Sequence, residues 1–70
     1  TVSGSADPEE MLENLGIEKE IRYATVSGWV MDELDKVPTV GDSFEFEGYV
    51  VNVTATDGMR VETVEIKKIN

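Results

Sequence analysis

The stretch that decides the fold is Thr25-Val26-Ser27-Gly28-Trp29-Val30-Met31-Asp32-Glu33-Leu34-Asp35-Lys36-Val37-Pro38-Thr39-Val40-Gly41-Asp42-Ser43-Phe44-Glu45-Phe46. Its apolar residues change period halfway along. Up to Pro38 they recur every three to four residues, as on one face of a helix; Phe44 and Phe46 then alternate with Glu45 and Glu47, as on a half-buried strand. The spacing predicts a helix over 26–36, with Thr25 as its N-cap and Pro38 preventing continuation. With Val26 at zero and about 100° per residue, Val37, Val30, Leu34 and Met31 fall between roughly 20° and 140°, with Ser27 inside that arc. Asp32, Glu33, Asp35 and Lys36 fall outside it.

Trp29 falls at roughly 300° by the same count, beyond Glu33. Turning it inward would drag a carboxylate into the core, at a cost exceeding the ~2–3 kcal/mol from burying an aromatic. The expectation is a partly exposed ring at the helix margin. Such a ring either folds back over a sheet edge or docks a partner, as exposed tryptophans do at interfaces.

Outward from this segment the chain reads as helix before and sheet after. Asp7-Pro8-Glu9-Glu10 is a helix start: an acceptor for first-turn amides, a residue needing no donor, and two acids facing the positive end of the dipole. The predicted helix spans 8–15, with Met11, Leu12 and Leu15 as its stripe and Gly16 as its left-handed terminator. Thr1-Val2-Ser3 reads as the tail of a strand. Downstream, Tyr49, Val51, Val53 and Ala55 alternate, Asp57-Gly58 signals a hairpin, and Val61, Val64 and Ile66 form the inner row of a last strand. The three-residue step from 61 to 64 calls for a β-bulge near Glu62-Thr63. The predicted class is α+β: two short helices on one face of a three- to four-stranded antiparallel sheet. The expected core is Leu12, Leu15, Val26, Val30, Leu34, Phe44, Phe46, Val51, Val53, Val61, Val64 and Ile66.

Composition bounds the function. Seventy residues make one domain over 1–70, and the absence of an initiator Met suggests a fragment of a larger protein. With no cysteine and no histidine the chain lacks thiolate nucleophiles, zinc-finger ligands and the usual neutral-pH base. The net charge is −9, with −10 carried by residues 1–57 and +1 by residues 58–70. No cluster of Lys and Arg is present to displace counterions from nucleic acid or an anionic bilayer. Neither nucleic-acid binding nor membrane insertion of this segment is expected. Fifteen carboxylates make chance pairs easy, but nothing else in the chain activates a hydroxyl, so catalysis is not expected. Hard divalent cations prefer oxygen ligands, which makes Asp32, Glu33 and Asp35 the candidate site for weak Mg²⁺ or Ca²⁺ binding, although no calcium-loop spacing is present. A solvated acidic face explains the same residues.

Three motifs in order carry a family resemblance: Thr25-Val26-Ser27-Gly28-Trp29-Val30, then Val37-Pro38-x-x-Gly41-Asp42-x-Phe44, then Arg60-Val61-Glu62-Thr63-Val64. Val2-Ser3-Gly4 and Leu15-Gly16 match the same pattern at the start. The chain resembles the transporter-associated domain of CorC/HlyC proteins, the C-terminal module of hemolysin-like and magnesium/cobalt-efflux membrane proteins. The resemblance implies a non-catalytic regulatory domain on the cytoplasmic side of the membrane. There it would follow a membrane domain and a CBS pair and modulate ion transport. Read as an interaction module, the domain would pack against the parent's other cytoplasmic domains or a second copy through Trp29 and the adjacent strand edge, because Trp29 lies off the core arc. The family's fold also resembles the PCMH-like substructure of one class of FAD-binding proteins. No cofactor is expected beyond that analogy, because no Gly-rich phosphate cradle occurs.

Overall fold

Asp7 and Thr25 set the starts of the two helices. In the computed structural model, which describes residues 1–69, helix α1 spans Pro8–Leu15 and helix α2 spans Val26–Leu34. The Asp7 carboxylate accepts from the Glu9 amide and the Thr25 hydroxyl from the Gly28 amide, as expected of the two caps. Gly16 closes α1 in the left-handed region. The hydroxyl of Tyr49, 34 residues away, donates to the Leu15 carbonyl at 3.1 Å and satisfies one orphan acceptor of that helix end.

Helix α2 is two residues shorter than its periodicity predicts. Asp35 turns left-handed at φ 54 and ends the helix, so Val37 leaves the apolar arc and is 51% exposed. Pro38 is buried just beyond.

Four antiparallel strands follow the expected order. They are β1 (Val2–Ser3), β2 (Ser43–Phe46), β3 (Tyr49–Asp57) and β4 (Arg60–Lys68), arranged β1-β4-β3-β2. The N-terminal strand is therefore the fourth, paired with β4 through Val2 opposite Val64. The β2–β3 connection is Glu47-Gly48, both at positive φ (47 and 83), the pairing of a type I′ turn whose twist matches its strands. In the second hairpin Asp57 still pairs with Arg60, so the loop is Gly58-Met59, one residue later than the Asp57-Gly58 signal suggests. The expected bulge is present at Glu62, and a compensating one sits at Thr54: pairing runs Val53 to Val64, Ala55 to Thr63, then Thr56 to Val61. Each strand thus carries one extra residue and the register is restored.

The core lies between the helices and one sheet face. Met11, Leu12, Ile21, Val26, Trp29, Val30, Val51, Val53, Val61 and Val64 are buried, with Leu15, Leu34, Phe44, Phe46 and Ile66 packed half-buried against them. Trp29 corrects the expectation of an exposed ring: it is 2% exposed. Its indole meets Phe44 edge-on at 5.3 Å and Phe46 at 5.0 Å. Glu33 nevertheless stays exposed. A long indole leans over the preceding turn and reaches the sheet from a margin position, which a radial projection of Cα directions does not show.

Candidate functional site

The residues of the three motifs converge at two places. The first is where the chain start crosses α2 and β4. Gly4 is buried and donates to the Glu62 carbonyl at 2.7 Å, opposite the bulge. Its carbonyl accepts from the Ser27 amide at 2.8 Å, and the Ala6 carbonyl from the Val26 amide at 3.0 Å. The buried Ser27 hydroxyl accepts from the Val61 amide at 3.0 Å. A Cβ on Gly4 would overlap the Val61 carbonyl oxygen, so no other residue fits there. A shallow groove opens beside this junction, lined by Ser5, Thr25, Ser27, Arg60 and Glu62 among others. It has the outline of an anion site at a helix start. Its amides are spent, however: those of Val26, Ser27 and Gly28 already donate to Ala6, Gly4 and Thr25. Glu62 adds a repelling charge.

The second place is the loop from α2 to β2. The Asp42 carboxylate accepts from the Thr39 amide (2.9 Å), the Thr39 hydroxyl (2.9 Å) and the Lys36 ammonium (3.1 Å). The Thr39 amide, then its hydroxyl, then Lys36 hold the Asp42 carboxyl below the usual carboxylate range. The Gly41 amide donates to the Val53 carbonyl and the Val53 amide to that of Asp42, tying the loop to the sheet. Pro38 is buried within it, while Val37 and Val40 project outward.

The candidate cation ligands are not gathered. Asp32, Glu33 and Asp35 are all exposed on the last turn of α2 and its cap, and among the described residues no three acidic side chains stand together as a metal-binding group. The nearness of the Asp32 carboxylate to the phenol, reinforced by partial desolvation and by the charges of Asp32 and Glu33, raises the Tyr23 pKa above the ordinary value. Trp29 does not reach the surface and has no area to offer a partner. Exposed apolar side chains lie elsewhere: Tyr23, Val37, Val40, Met59 and Ile69. The helical count missed the exposure of Val37 because it carried α2 past Asp35, while Val40 lies in the turn-rich connection after Pro38. Tyr23 lies in a connection with no period to read.

A second groove runs between α1 and the β1–β4 pair, lined by Val2, Met11, Leu15 and Ile66 with Asp7 and Glu10 among its polar residues. Asp7 is already committed to its cap. Among the described residues no helix is long and apolar enough to cross a membrane.

Comparison with known proteins gives a consistent result. The family described as transporter associated domain, CorC_HlyC, matches residues 1–70. The UPF0053 protein sll0260 of Synechocystis sp. is 34% identical over 58 residues, which is 83% of this chain but 13% of that protein. This chain thus spans a small part of the curated relative it matches. A CorC_HlyC domain from Haemophilus ducreyi superposes with a TM-score of 0.91 over 99% of this chain and 86% of that one, at 22% identity, a likeness of fold. The CorC_HlyC domain of a Xylella fastidiosa hemolysin, whose structure is in complex with Mg²⁺ and Mn²⁺, superposes with a TM-score of 0.85 over 97% and 84%, at 28% identity.

Proposed function

Because the chain belongs to the CorC_HlyC family of transporter associated domains, we propose that it is a non-catalytic regulatory domain of a hemolysin-like or magnesium/cobalt-efflux membrane protein. In this reading it sits on the cytoplasmic face and modulates ion transport by contact with the parent's other cytoplasmic domains. The observation that carries it is what the family's own residues do here. Gly4, Thr25, Ser27 and Asp42 are each spent on a backbone amide, a helix cap or a close approach. A motif used up on scaffold leaves function to surfaces rather than to a reaction centre. The test is transport by the full-length parent with and without this domain. Unchanged flux and unchanged response to the cation would end the regulatory reading.

Surface cation binding is a second reading, supported by the Mg²⁺ and Mn²⁺ in the Xylella relative. It is tested by calorimetric titration with Mg²⁺, Mn²⁺, Ca²⁺ and Co²⁺. Heat equal to that from an Asp32→Asn, Asp35→Asn variant would exclude these residues as ligands. Flavin binding, which rests on fold analogy alone, is dismissed if added FAD is ignored.

A further inference from the structure

We infer that the edge of β4 beyond Val64, with the groove beside it, seats the polypeptide that leads into Thr1 in the parent protein. β1 continues upstream there, and the residue directly before Thr1 places an apolar side chain beside Ile66. The inference rests on the reading of the chain as a domain of a longer protein and names one of its contacts with the rest. β4 runs to Lys68, but β1 pairs only with its Thr63 and Val64. On the other side β3 keeps pairing to the end, Val51 with Ile66 and Tyr49 with Lys68. Among the described residues, the β1 side of 65–68 therefore has no strand against it, and an open edge of this kind is a template for one. Which backbone groups face that edge follows from the alternation of antiparallel bonds. The Gly4 amide donates to the Glu62 carbonyl, so Val64, Ile66 and Lys68 turn their N–H and C=O groups to the same side. The Ile69 amide, odd in this count, donates to Gly48 on the β3 side, as the alternation requires.

The side chains mark the same line. Val2 stands opposite Val64, and Ile66 is the next residue of β4 on the core face. The fourth corner of that square is the position two before Val2, directly ahead of Thr1. The groove opens at this corner, lined by Thr1, Val2, Met11, Leu15 and Ile66. Val2, Leu15 and Ile66 are only partly buried against the core, whereas Val64 in the same rows is fully buried. A branched apolar side chain at the corner completes the row between β4 and α1 and takes that remaining apolar surface out of water. One residue further upstream the strand faces Lys67, whose ammonium lies 3.0 Å from Glu65, so a basic residue there would be repelled across the pair. Only a strand in line with β1 serves both the backbone groups and the groove, and the chain entering Thr1 already runs in that line. A second copy, itself at −9, would have to fit an edge fixed in its own sheet into the few positions beyond β1. The connection to the preceding part of the parent is then a paired strand and not a free tether, so movement of that part reaches the sheet directly.

The experiment is amide hydrogen exchange at Ile66 and Lys68, compared between the chain 1–70 and the full-length parent. In the parent both amides should exchange at least about tenfold more slowly. Two proline substitutions then decide within the parent itself. Proline directly before Thr1, where the N–H donates to the Ile66 carbonyl, should abolish the protection. Proline one residue further upstream, where the N–H points away from β4, should leave it in place. The Val53 amide, bonded to Asp42, should stay protected in both variants and report that the domain remains folded. Equal exchange in parent and isolated chain, the same effect of both prolines, or protection of the isolated chain that grows with its concentration, as a second copy on the edge would give, would each overturn the inference. If the edge stays unprotected in the parent while removal of the domain alters transport, the upstream strand is wrong and the regulatory reading stands.

Discussion

Truncating Trp29 to alanine tests the packing described here most severely, because the side chain is nearly fully buried and wedged edge-on between Phe44 and Phe46. Large-to-small changes of this kind cost about 3–5 kcal/mol, the lost transfer energy and the residual cavity together. The two aromatic contacts, each about 0.5–1.5 kcal/mol, belong inside that figure and place the loss near its middle, about 4 kcal/mol. A 70-residue chain has about 3.5–10 kcal/mol of total stability to lose. The variant should therefore be largely unfolded at 37 °C unless the parent domain lies near the top of that range. The assay is urea denaturation followed by far-ultraviolet circular dichroism, since the substitution removes the only tryptophan. With a slope of about 1 kcal/mol per molar urea, the midpoint should fall by several molar or disappear. Trp29→Phe, which keeps an aromatic against Phe44, should recover about half of the loss. A Trp29→Ala variant whose midpoint moves by less than about 0.5 M at unchanged slope would refute burial of this ring as a stabilising feature.

Other substitutions read other parts of the structure. Gly4→Ala drives a methyl into the Val61 carbonyl and should detach β1, losing about 3 kcal/mol from the three backbone bonds at that junction, detectable as fast amide exchange at Ser27 and Val26. Ser27→Ala leaves the buried Val61 N–H without its acceptor and should cost about 1–3 kcal/mol by chemical denaturation. Glu47→Asn puts a residue tolerant of positive φ in the Glu47-Gly48 turn and should raise the melting temperature by a few degrees, worth about 0.5–1 kcal/mol. The Lys19 contact of Glu47 at 3.4 Å is solvent-exposed and contributes little against that gain. Because the folded Asp42 carboxyl titrates below its usual range, its contribution is present above about pH 4, the unfolded value, and lost as pH falls through the lower folded value. Asp42→Asn should flatten the acid limb of the stability curve in that window and leave its neutral-pH slope unaltered.

The parts of this fold legible from sequence are those set by neighbours in the chain. Asp7 and Thr25 cap, Gly16 terminates, and the 61-to-64 step forces a bulge, because each needs only residues within one turn or one pairing step. Long-range choices were not legible. The compensating bulge at Thr54 depends on the whole β3–β4 register, and the Tyr49 bond to Leu15 joins residues that no local pattern connects. Ile21 is buried from a segment with no period at all. The misplacement of Trp29 has a specific cause. A helical projection ranks positions by angle, while β2 supplies two phenylalanines that reach out to meet an indole leaning from the margin. At the end of α2 the acids were visible in the sequence, but the exposure of Val37 depends on where Asp35 stops the helix.

The pairing of β1 with β4 has a mechanical consequence. Val2 lies opposite Val64, and the two strands run in opposite directions, so the polypeptide enters and leaves the sheet from the same end. Traction applied through the two ends would peel β1 from β4 one rung at a time instead of sliding the strands past each other with all rungs loaded at once. Such a domain yields at low force, and the Gly4 junction over α2 would be the next contact to open. A pull transmitted from a moving neighbour would therefore be felt first at that seam, well away from the loop that carries Val37 and Val40.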